Sequence, residues 1–213
     1  MSILQWAKSA NHAQRNWLDE PIPESDVTEL INVATAMPTK QNVPVYKLIA
    51  STDKEVNTFV YNNAVDEIHE QNKKYDHGGE YIRNSMVLAP LLLIYVIQFS
   101  TNVDDPWWKK GSHITIEDAN MGAGISSGAV ALAANSKGYK TGFCTCLKAD
   151  AILHELKKRY KISTGNKKCL NMLALGIGKP NPGIDHNVVI RPEDNEQFYV
   201  KLHPNENECL IVK

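Results

Sequence analysis

The chain has 213 residues, of which 43% are hydrophobic and 22% are charged, and its formal net charge is -1. This length suits one domain, and this hydrophobic fraction is sufficient for a buried core. Because the charges nearly balance and no basic run is present, we exclude a protein that binds nucleic acid or anionic membranes through a general positive field. We predict a single domain over residues 1–213, with an extended arm over about 180–213.

The chain carries no recognisable targeting signal, since its first residues lack a basic start followed by a continuous apolar stretch. The most apolar run, over residues 86–97, is far shorter than the ~20 residues that a membrane helix needs. Four cysteines in a chain without a secretory signal favour reduced thiols. These features predict a cytoplasmic protein that does not cross a membrane.

The N-terminal part of the chain begins with two predicted helices. Helical spacing of apolar residues predicts the first helix over residues 2–10, and the polar residues 11–16 interrupt that pattern. The second helix starts within residues 21–26 and ends at Pro38. Alternating apolar and polar side chains then predict a strand over residues 45–51.

The remainder of the chain mixes helices with apolar strands. Residues 53–75 read as a helix that is mostly exposed, and residues 91–98 read as a strand that is buried on both faces. The longest predicted helix covers residues 113–137, and another follows over 147–160. A further strand is predicted over 170–177. This order of elements indicates an α/β or α+β class.

Small side chains recur along one face of the longest predicted helix. They are Ala119, Gly122, Ala123, Ser126, Ala129, Val130 and Ala133. A glycine inside a helix costs about 1 kcal/mol relative to alanine, so a compensating close contact is expected. One interpretation is tight packing inside the domain. The other is a helix–helix dimer interface beside a cofactor.

Two polar segments are candidate binding loops. His12 and Arg15 could hold a phosphate, because arginine presents a permanent charge and a planar set of donors. The alternative is an ordinary solvated loop. After the second helix, Thr39, Lys40 and Asn42 could bond to a heterocycle or to ribityl hydroxyls. The alternative for these residues is a capped turn.

Cys144, Thr145 and Cys146 follow the longest helix in a predicted strand. Their spacing is C-x-C, without the ligands of a zinc site, so the two cysteines are interpreted as small packing residues on one face. Trp107 and Trp108 could form an aromatic wall on a substrate side, or they could belong to a small satellite core.

The order of these segments resembles the nitroreductase family of FMN-dependent oxidoreductases, and the resemblance covers the chain from about Gln14 to Lys179. The family shows a basic element, a Pro-Ser-x-x-Asn loop, a buried strand, a small-residue helix and an apolar strand that ends in glycine. The matching segments here are Asn11–Trp17, Met37–Tyr46, Ala89–Ile94, Asp118–Tyr139 and Leu173–Gly176.

The resemblance implies an α+β sandwich with a mixed central sheet flanked by helices, and a homodimer with FMN at the subunit interface. It implies NAD(P)H as electron donor and a nitroaromatic, quinone or related small molecule as acceptor, in a ping-pong reaction. The flavin would carry the chemistry, so no catalytic side chain and no metal are predicted. Two alternatives are a flavin-binding sensor or carrier with little turnover, and a flavin-free interaction domain.

The resemblance also implies particular contacts with the cofactor. The basic element would bind the FMN phosphate and the flavin edge, the loop after the second helix would bind the ring, and the cysteine-containing strand would lie along the isoalloxazine. The predicted cofactor-binding residues are Asn11, His12, Ala13, Arg15, Pro38, Thr39, Asn42, Ser126, Phe143, Cys144, Thr145, Cys146, Lys179 and His186. The predicted substrate-side residues are Lys40, Trp107 and Trp108.

The basic element departs from the family pattern at two positions. Asn11 replaces an arginine and Ala13 replaces a serine. The late basic residue of the family has three candidates here, Lys179, His186 and Arg191. Each charge-assisted phosphate contact contributes roughly 1.5–3 kcal/mol, so we predict that purified protein retains FMN weakly.

Overall fold

The structure is a computed structural model that describes residues 2–64, 83–99, 114–161 and 168–199. A four-stranded sheet in the order β1-β2-β4-β3 forms its centre. Its strands are β1 Tyr46–Ser51, β2 Leu91–Phe99, β3 Lys140–Cys144 and β4 Lys168–Gly178. Each of the three pairings is antiparallel. A mixed sheet requires at least one pair of parallel strands. The described strands contain no such pair, because each of them runs antiparallel to its neighbours.

Five α-helices lie within the described ranges. They are α1 Ile3–Ala10, α2 Glu24–Ala36, α3 Lys54–Asn62, α4 Ile116–Ser136 and α5 Ala149–Tyr160. Capping boxes begin α1 at Ser2 and α4 at Thr115, where each hydroxyl accepts a bond from the backbone N–H three residues later. None of the helices in these ranges combines the length and the apolar character needed to cross a membrane.

The central strands β2 and β4 separate two hydrophobic cores. Alternate residues of β2 point to opposite faces, so Leu93 and Tyr95 join one core while Leu92 and Ile94 join the other. The first core contains residues of α2 and α4, and the second contains residues of α3 and α5. Helices thus cover both faces of the sheet, which confirms the predicted α+β sandwich and the doubly buried strand.

The third helix is shorter and more buried than the sequence predicted. α3 ends at Asn62, and the part of the predicted helix beyond residue 64 lies outside the described residues. Val56, Val60 and Tyr61 of α3 are buried against the second core. The prediction of an exposed helix is therefore wrong for this part, because α3 covers a sheet face that a sequence pattern does not reveal.

Part of the small-residue face of α4 packs inside the domain. Ala119 and Ala123 belong to the first core, and Gly122 faces the chain before β1. A Cβ added at Gly122 would lie 2.9 Å from Val45 Cγ2 and 3.2 Å from Thr39 Cγ2. This close approach is the compensating contact expected for a glycine in mid-helix.

The described part of the C-terminal arm contains a small antiparallel pair, β5 Val188–Ile190 and β6 Gln197–Tyr199. Val188 and Val189 are buried. Asn16 Nδ2 donates to Asp185 O at 2.8 Å and to Val188 O at 3.3 Å. The arm is therefore joined to the polar segment that follows α1, which brings the two ends of the described chain together.

Asp26 links α2 to the chain between α4 and β3. Its carboxylate accepts bonds from Tyr139 Oη at 2.7 Å and from Lys137 Nζ at 2.9 Å. Lys137 Nζ also lies 2.6 Å from Glu29 Oε2. The hydroxyl of Tyr139 and then the ammonium of Lys137 lower the pKa of Asp26. These contacts stabilise the carboxylate of Asp26 only while it is ionised.

We expect Asp26→Asn to lower the free energy of unfolding at neutral pH. The substitution should also weaken the dependence of this free energy on pH in the acid range. A carboxyl group whose pKa is lowered by folding stabilises the protein above its unfolded pKa, and the stabilisation is lost as pH falls through the folded pKa. Urea unfolding from neutral to acid pH measures both effects, with Glu24→Gln at the exposed start of α2 as control. A wild-type acid dependence in Asp26→Asn would contradict this prediction.

Candidate functional site

The polar segment after α1 lies along the outer strand of the sheet. Gln14 N donates to Thr141 O at 2.9 Å, and Leu18 N donates to Lys179 O at 3.0 Å. Gly142 permits this approach, because an added Cβ would overlap Gln14 O. The segment is therefore held by β3 and by the residue that follows β4.

Bonds to the short helical turn before β2 fix the backbone of this segment. Ser85 Oγ donates to Arg15 O at 2.5 Å, and Trp17 Nε1 donates to Ser85 O at 3.2 Å. Gln14 is buried, and its Nε2 donates to Asn16 O at 2.7 Å. These contacts position the side chains on either side of Gln14.

Asn11 and Ala13, the two departures from the family element, contribute backbone groups. Asn11 is exposed and ends α1, with its N–H 3.4 Å from Lys8 O. The carbonyl of Ala13 accepts a bond of 3.1 Å from Arg15 Nη1. This bond orients the guanidinium of Arg15 and occupies only one of its five N–H donors.

Four basic residues converge beside β3, and we call them the basic cluster: His12, Arg15, Lys140 and His186. The ring centroids of His12 and His186 lie 4.5 Å apart, with the planes tilted by 40°. Lys140 Nζ donates to Ser9 O at 3.2 Å and also contacts Ser9 Oγ. Burial is the main cause that lowers the pKa of His186, followed by the charges of His12 and Arg15.

His186 has a buried ring nitrogen that lacks a partner. No described residue forms a hydrogen bond with His186 Nε2, although this atom is shielded from solvent. A buried polar group left without a partner costs about 1–3 kcal/mol. An anionic oxygen would satisfy this nitrogen and would also meet the positive charge of Arg15. The donors of the basic cluster therefore fit a phosphate group.

The other two late basic candidates are paired with carboxylates. Lys179 Nζ lies 2.6 Å from Glu20 Oε2, and both side chains are about half exposed. Arg191 Nε lies 2.9 Å from Asp194 Oδ1, and its guanidinium has further partners. The side chain of His186 contacts His12 of the polar segment after α1, whereas Lys179 meets this segment through its backbone carbonyl. We therefore assign no cofactor contact to Lys179.

β3 presents an outer backbone edge beyond the contact with the polar segment. It is the last strand in the sheet order, and Thr141 O points away from β4 to accept the bond from Gln14. Because the direction of backbone groups alternates along a strand, the N–H and C=O of Phe143 face the same outer edge. The side chain of Phe143 packs against the first core, so only its backbone is available there.

Cys144 at the end of β3 and Cys146 just beyond it lie on one side of the chain, and Thr145 lies on the other. Cys144 is buried in the second core, Cys146 packs against that core, and Thr145 is exposed. This arrangement agrees with the interpretation of the cysteines as packing residues. Burial raises the pKa of Cys144 to about 12 despite the nearby charge of Arg15. Cys144 is thus a neutral thiol with little nucleophilic character.

The loop after α2 has an unusual backbone. Gln41 and Asn42 have φ values of 55° and 56°, a left-handed conformation that costs non-glycine residues roughly 1–2 kcal/mol each. Thr39 Oγ1 donates to Val43 O at 2.7 Å and closes the loop. Strained backbone of this kind clusters at binding sites, where the surrounding structure holds it in place.

The same loop borders a groove of about 490 Å³ at the start of β1. Pro38, Thr39 and Asn42 line this groove. Lys40 Nζ lies 2.8 Å from Asp118 Oδ2 at the start of α4, so the loop is tied to that helix. The candidate ring-binding residues are thus held by α4, whereas the basic cluster is held by β3.

Ser126 is part of the core. It is completely buried, and its Oγ donates to Ala34 O at 2.7 Å and lies 3.2 Å from Tyr95 Oη. Its hydroxyl joins α4 to α2 and β2, so we assign it no contact with a cofactor. The sequence pattern placed Ser126 on the small-residue face of α4. The pattern did not show that α2 and β2 cover this part of the face.

Trp107 and Trp108 lie outside the described residues. Within the four described ranges, no group of three histidine, cysteine or acidic residues is arranged to hold a metal ion. Two supporting residues were missed by the sequence reasoning. Lys140 begins the strand that was predicted around Cys144, where it received no binding role. Ser85 had no signal in the sequence, because its role depends on a turn that contacts Arg15.

Comparison with known families and structures decides the classification. The model of the nitroreductase family matches residues 10–179. The chain belongs to the nitroreductase family. This match agrees with the resemblance inferred between about Gln14 and Lys179. No curated protein matches the chain.

Solved structures of other nitroreductase-like proteins share the fold. A BluB-like flavoprotein from Clostridium difficile 630 has a TM-score of 0.66 and 14% identity, with 100% of both chains covered. A nitroreductase with bound FMN from Bacteroides fragilis NCTC 9343 has a TM-score of 0.62 and 15% identity, covering 99% of each chain. A nitroreductase family protein from Clostridium novyi NT has a TM-score of 0.59 and 19% identity, covering 88% of this chain and 91% of the other.

Proposed function

We propose that this nitroreductase family protein is an FMN-dependent oxidoreductase that uses NAD(P)H to reduce nitroaromatics, quinones or related small acceptors. The observation that carries the proposal is the meeting of His12, Arg15 and His186 around a buried nitrogen without a partner. Family membership and the FMN-bound relative from Bacteroides fragilis give further support. The free thiols of Cys144, Cys146 and Cys169 suit the reducing cytoplasm that we propose as its location.

The basic cluster would hold the cofactor by its phosphate. Arg15 offers a planar fork of donors that matches two phosphate oxygens, and His12 and His186 offer single ring donors. Lys140 adds positive charge from the start of β3. Since these donors come from the chain after α1, from β3 and from the arm, the phosphate would tie three separate parts of the fold together.

The backbone edge of β3 in one subunit and the loop after α2 of the partner subunit would hold the flavin ring, because β3 and β1 lie at opposite edges of the sheet. The N–H of Phe143 faces an open edge and can donate to a heteroatom of the ring. Thr39 and Asn42 supply polar side chains beside the groove. FMN, when bound, supplies the transfer of electrons from NAD(P)H to the acceptor, and the protein positions it. Because both substrates would use one site in turn, we expect ping-pong kinetics.

The proposal includes a homodimer, which is supported by an apolar face of α4 that the described residues leave exposed. Met121 is 62% exposed and Ile125 is 45% exposed. Apart from the backbone of α4 itself, a Cβ added at Gly124 or Gly128 would meet no heavy atom of the described residues within 4 Å. These positions recur at helical spacing and form one stripe, and an exposed apolar stripe of this kind is typical of an interface.

We expect Met121→Glu combined with Ile125→Glu to shift the protein from dimer to monomer. Two carboxylates would have to be desolvated without partners in an apolar helix–helix contact. Light scattering after gel filtration measures the mass directly. Thr28→Glu, at an exposed position of α2, is the control and should leave the mass unchanged. A double variant that keeps the wild-type mass would remove α4 from the proposed interface.

The visible absorption spectrum of the purified protein, after FMN is added and excess removed, tests the function. Flavin bands that bleach when NAD(P)H is added without oxygen, and return when a quinone is added, would support the oxidoreductase. Retained flavin that does not bleach would instead favour the sensor or carrier. If the protein neither retained flavin nor bound FMN at equilibrium, the proposal would be overturned. The family match would then indicate a shared fold alone.

A further inference from the structure

We propose that binding of FMN to this protein is coupled to protonation of His186, which stands in ring contact with His12, so that cofactor affinity falls as pH rises through the neutral range. This inference rests on the proposed function, because it concerns the same phosphate site. It follows from the ring contact between two histidines at this site. Side chains of fixed charge in their place would give an FMN affinity that does not change with pH.

Charged side chains from the segment after α1, from β3 and from the arm lie around the rings of His12 and His186. Arg15 follows His12 along the chain, Lys140 begins β3, and both act on His186 as positive charges. Asp185 precedes His186 and is the acidic group that opposes them. Positive charges therefore outnumber negative ones around the two rings.

Without a bound anion, this surrounding disfavours a second charge on the pair. Burial lowers the pKa of His186, and the charges of His12, Arg15 and Lys140 lower it further, while Asp185 raises it. Two imidazolium rings with centroids 4.5 Å apart would also repel each other. A positive charge on His186 is therefore disfavoured in the free protein.

A bound phosphate reverses this preference. An opposite charge within about 4–6 Å favours the charged form of a titratable group. When His186 is protonated, its buried Nε2 becomes a donor, and a phosphate oxygen supplies the acceptor that is missing among the described residues. Binding thus raises the pKa of His186, and a proton is taken up from solution.

The sign of the pH dependence follows from this uptake. The protonated form is favoured at low pH, so affinity is highest when His186 is charged and falls as pH rises above the pKa of His186 in the free protein. One linked proton changes the affinity by at most about tenfold per pH unit. The FMN phosphate itself loses charge below about pH 6, so the tightest binding is expected near that pH.

Equilibrium titration, followed by quenching of flavin fluorescence, tests the inference. FMN and riboflavin are titrated separately between about pH 6 and pH 8, since riboflavin lacks the phosphate. We expect FMN binding to weaken about tenfold over this range and riboflavin binding to change little. Calorimetry in buffers of different ionisation enthalpy should show that FMN binding takes up protons near neutral pH and riboflavin binding does not.

Three variants show which group is responsible. His186→Lys should bind FMN with a flatter pH dependence, because lysine stays charged across this range. His12→Gln, at an exposed position, removes one donor of the basic cluster and should weaken FMN binding, while the pH dependence that His186 causes remains. His154→Gln, on the exposed side of α5, is the matched control and should keep the wild-type pH dependence.

The possible failures are distinct. FMN affinity that does not change with pH, with no proton uptake, would overturn the inference while the proposed function stands. An equal pH dependence for riboflavin would also overturn it, since the cause would then lie outside the phosphate site. Absence of FMN binding at every pH would overturn the proposed function, and the inference with it.

Discussion

Arg15→Ala is expected to weaken FMN binding by at least about tenfold, the largest change in affinity that we expect from a single side chain of this site. A charge-assisted hydrogen bond contributes roughly 1.5–3 kcal/mol, and the guanidinium can form two such bonds with one phosphate. Asn11 and Ala13 provide no second guanidinium or hydroxyl as compensation. Fluorescence titration with FMN measures the change, and riboflavin binding should be affected much less.

Controls separate this loss from damage to the fold. The described side-chain bond of Arg15 is to Ala13 O, so circular dichroism and urea unfolding should show little change in Arg15→Ala. Lys179→Ala removes a cation that is paired with Glu20, and it should leave FMN affinity unchanged. If Lys179→Ala weakened binding while Arg15→Ala did not, the phosphate would have to lie elsewhere.

Gly176→Ala is expected to destabilise the protein by about 3 kcal/mol, because β4 passes directly against the turn before β2. An added Cβ would overlap Met86 O and lie 3.0 Å from Ala89 Cβ. Met86 O is a backbone atom, so the clash cannot be relieved by rotating a side chain. The turn or the strand would have to move, and the turn contains Ser85, which bonds to Arg15 O.

Urea unfolding of Gly176→Ala measures this effect, and Gly124→Ala provides the matched control. At Gly124 the added Cβ meets no heavy atom of the described residues within 4 Å apart from the backbone of α4 itself, and alanine is favoured in a helix by about 1 kcal/mol. The two variants should therefore change stability in opposite directions. A Gly176→Ala protein as stable as the wild type would mean that the turn before β2 adjusts easily, contrary to its packing.

Much of the fold was predictable from local patterns. Each described α-helix and each strand of the central four-stranded sheet overlaps a predicted one, because apolar spacing, prolines and capping residues act over a few neighbouring residues. The family was also predictable, since the order of short segments along the chain survives substitutions at single positions. Residues 91–97 of β2, which are buried on both faces, were predicted to be so from their continuous apolar composition.

The sequence by itself determined the elements, the family and the candidate binding segments, because these depend on patterns between near neighbours. The tertiary structure decided which members of those segments meet. Lys179 and His186 were equal candidates in the sequence, but Glu20, 159 residues before Lys179, pairs with that lysine. His186 reaches His12 only because the arm is joined to the polar segment after α1. Such choices depend on contacts between distant parts of the chain, and a local pattern does not encode them.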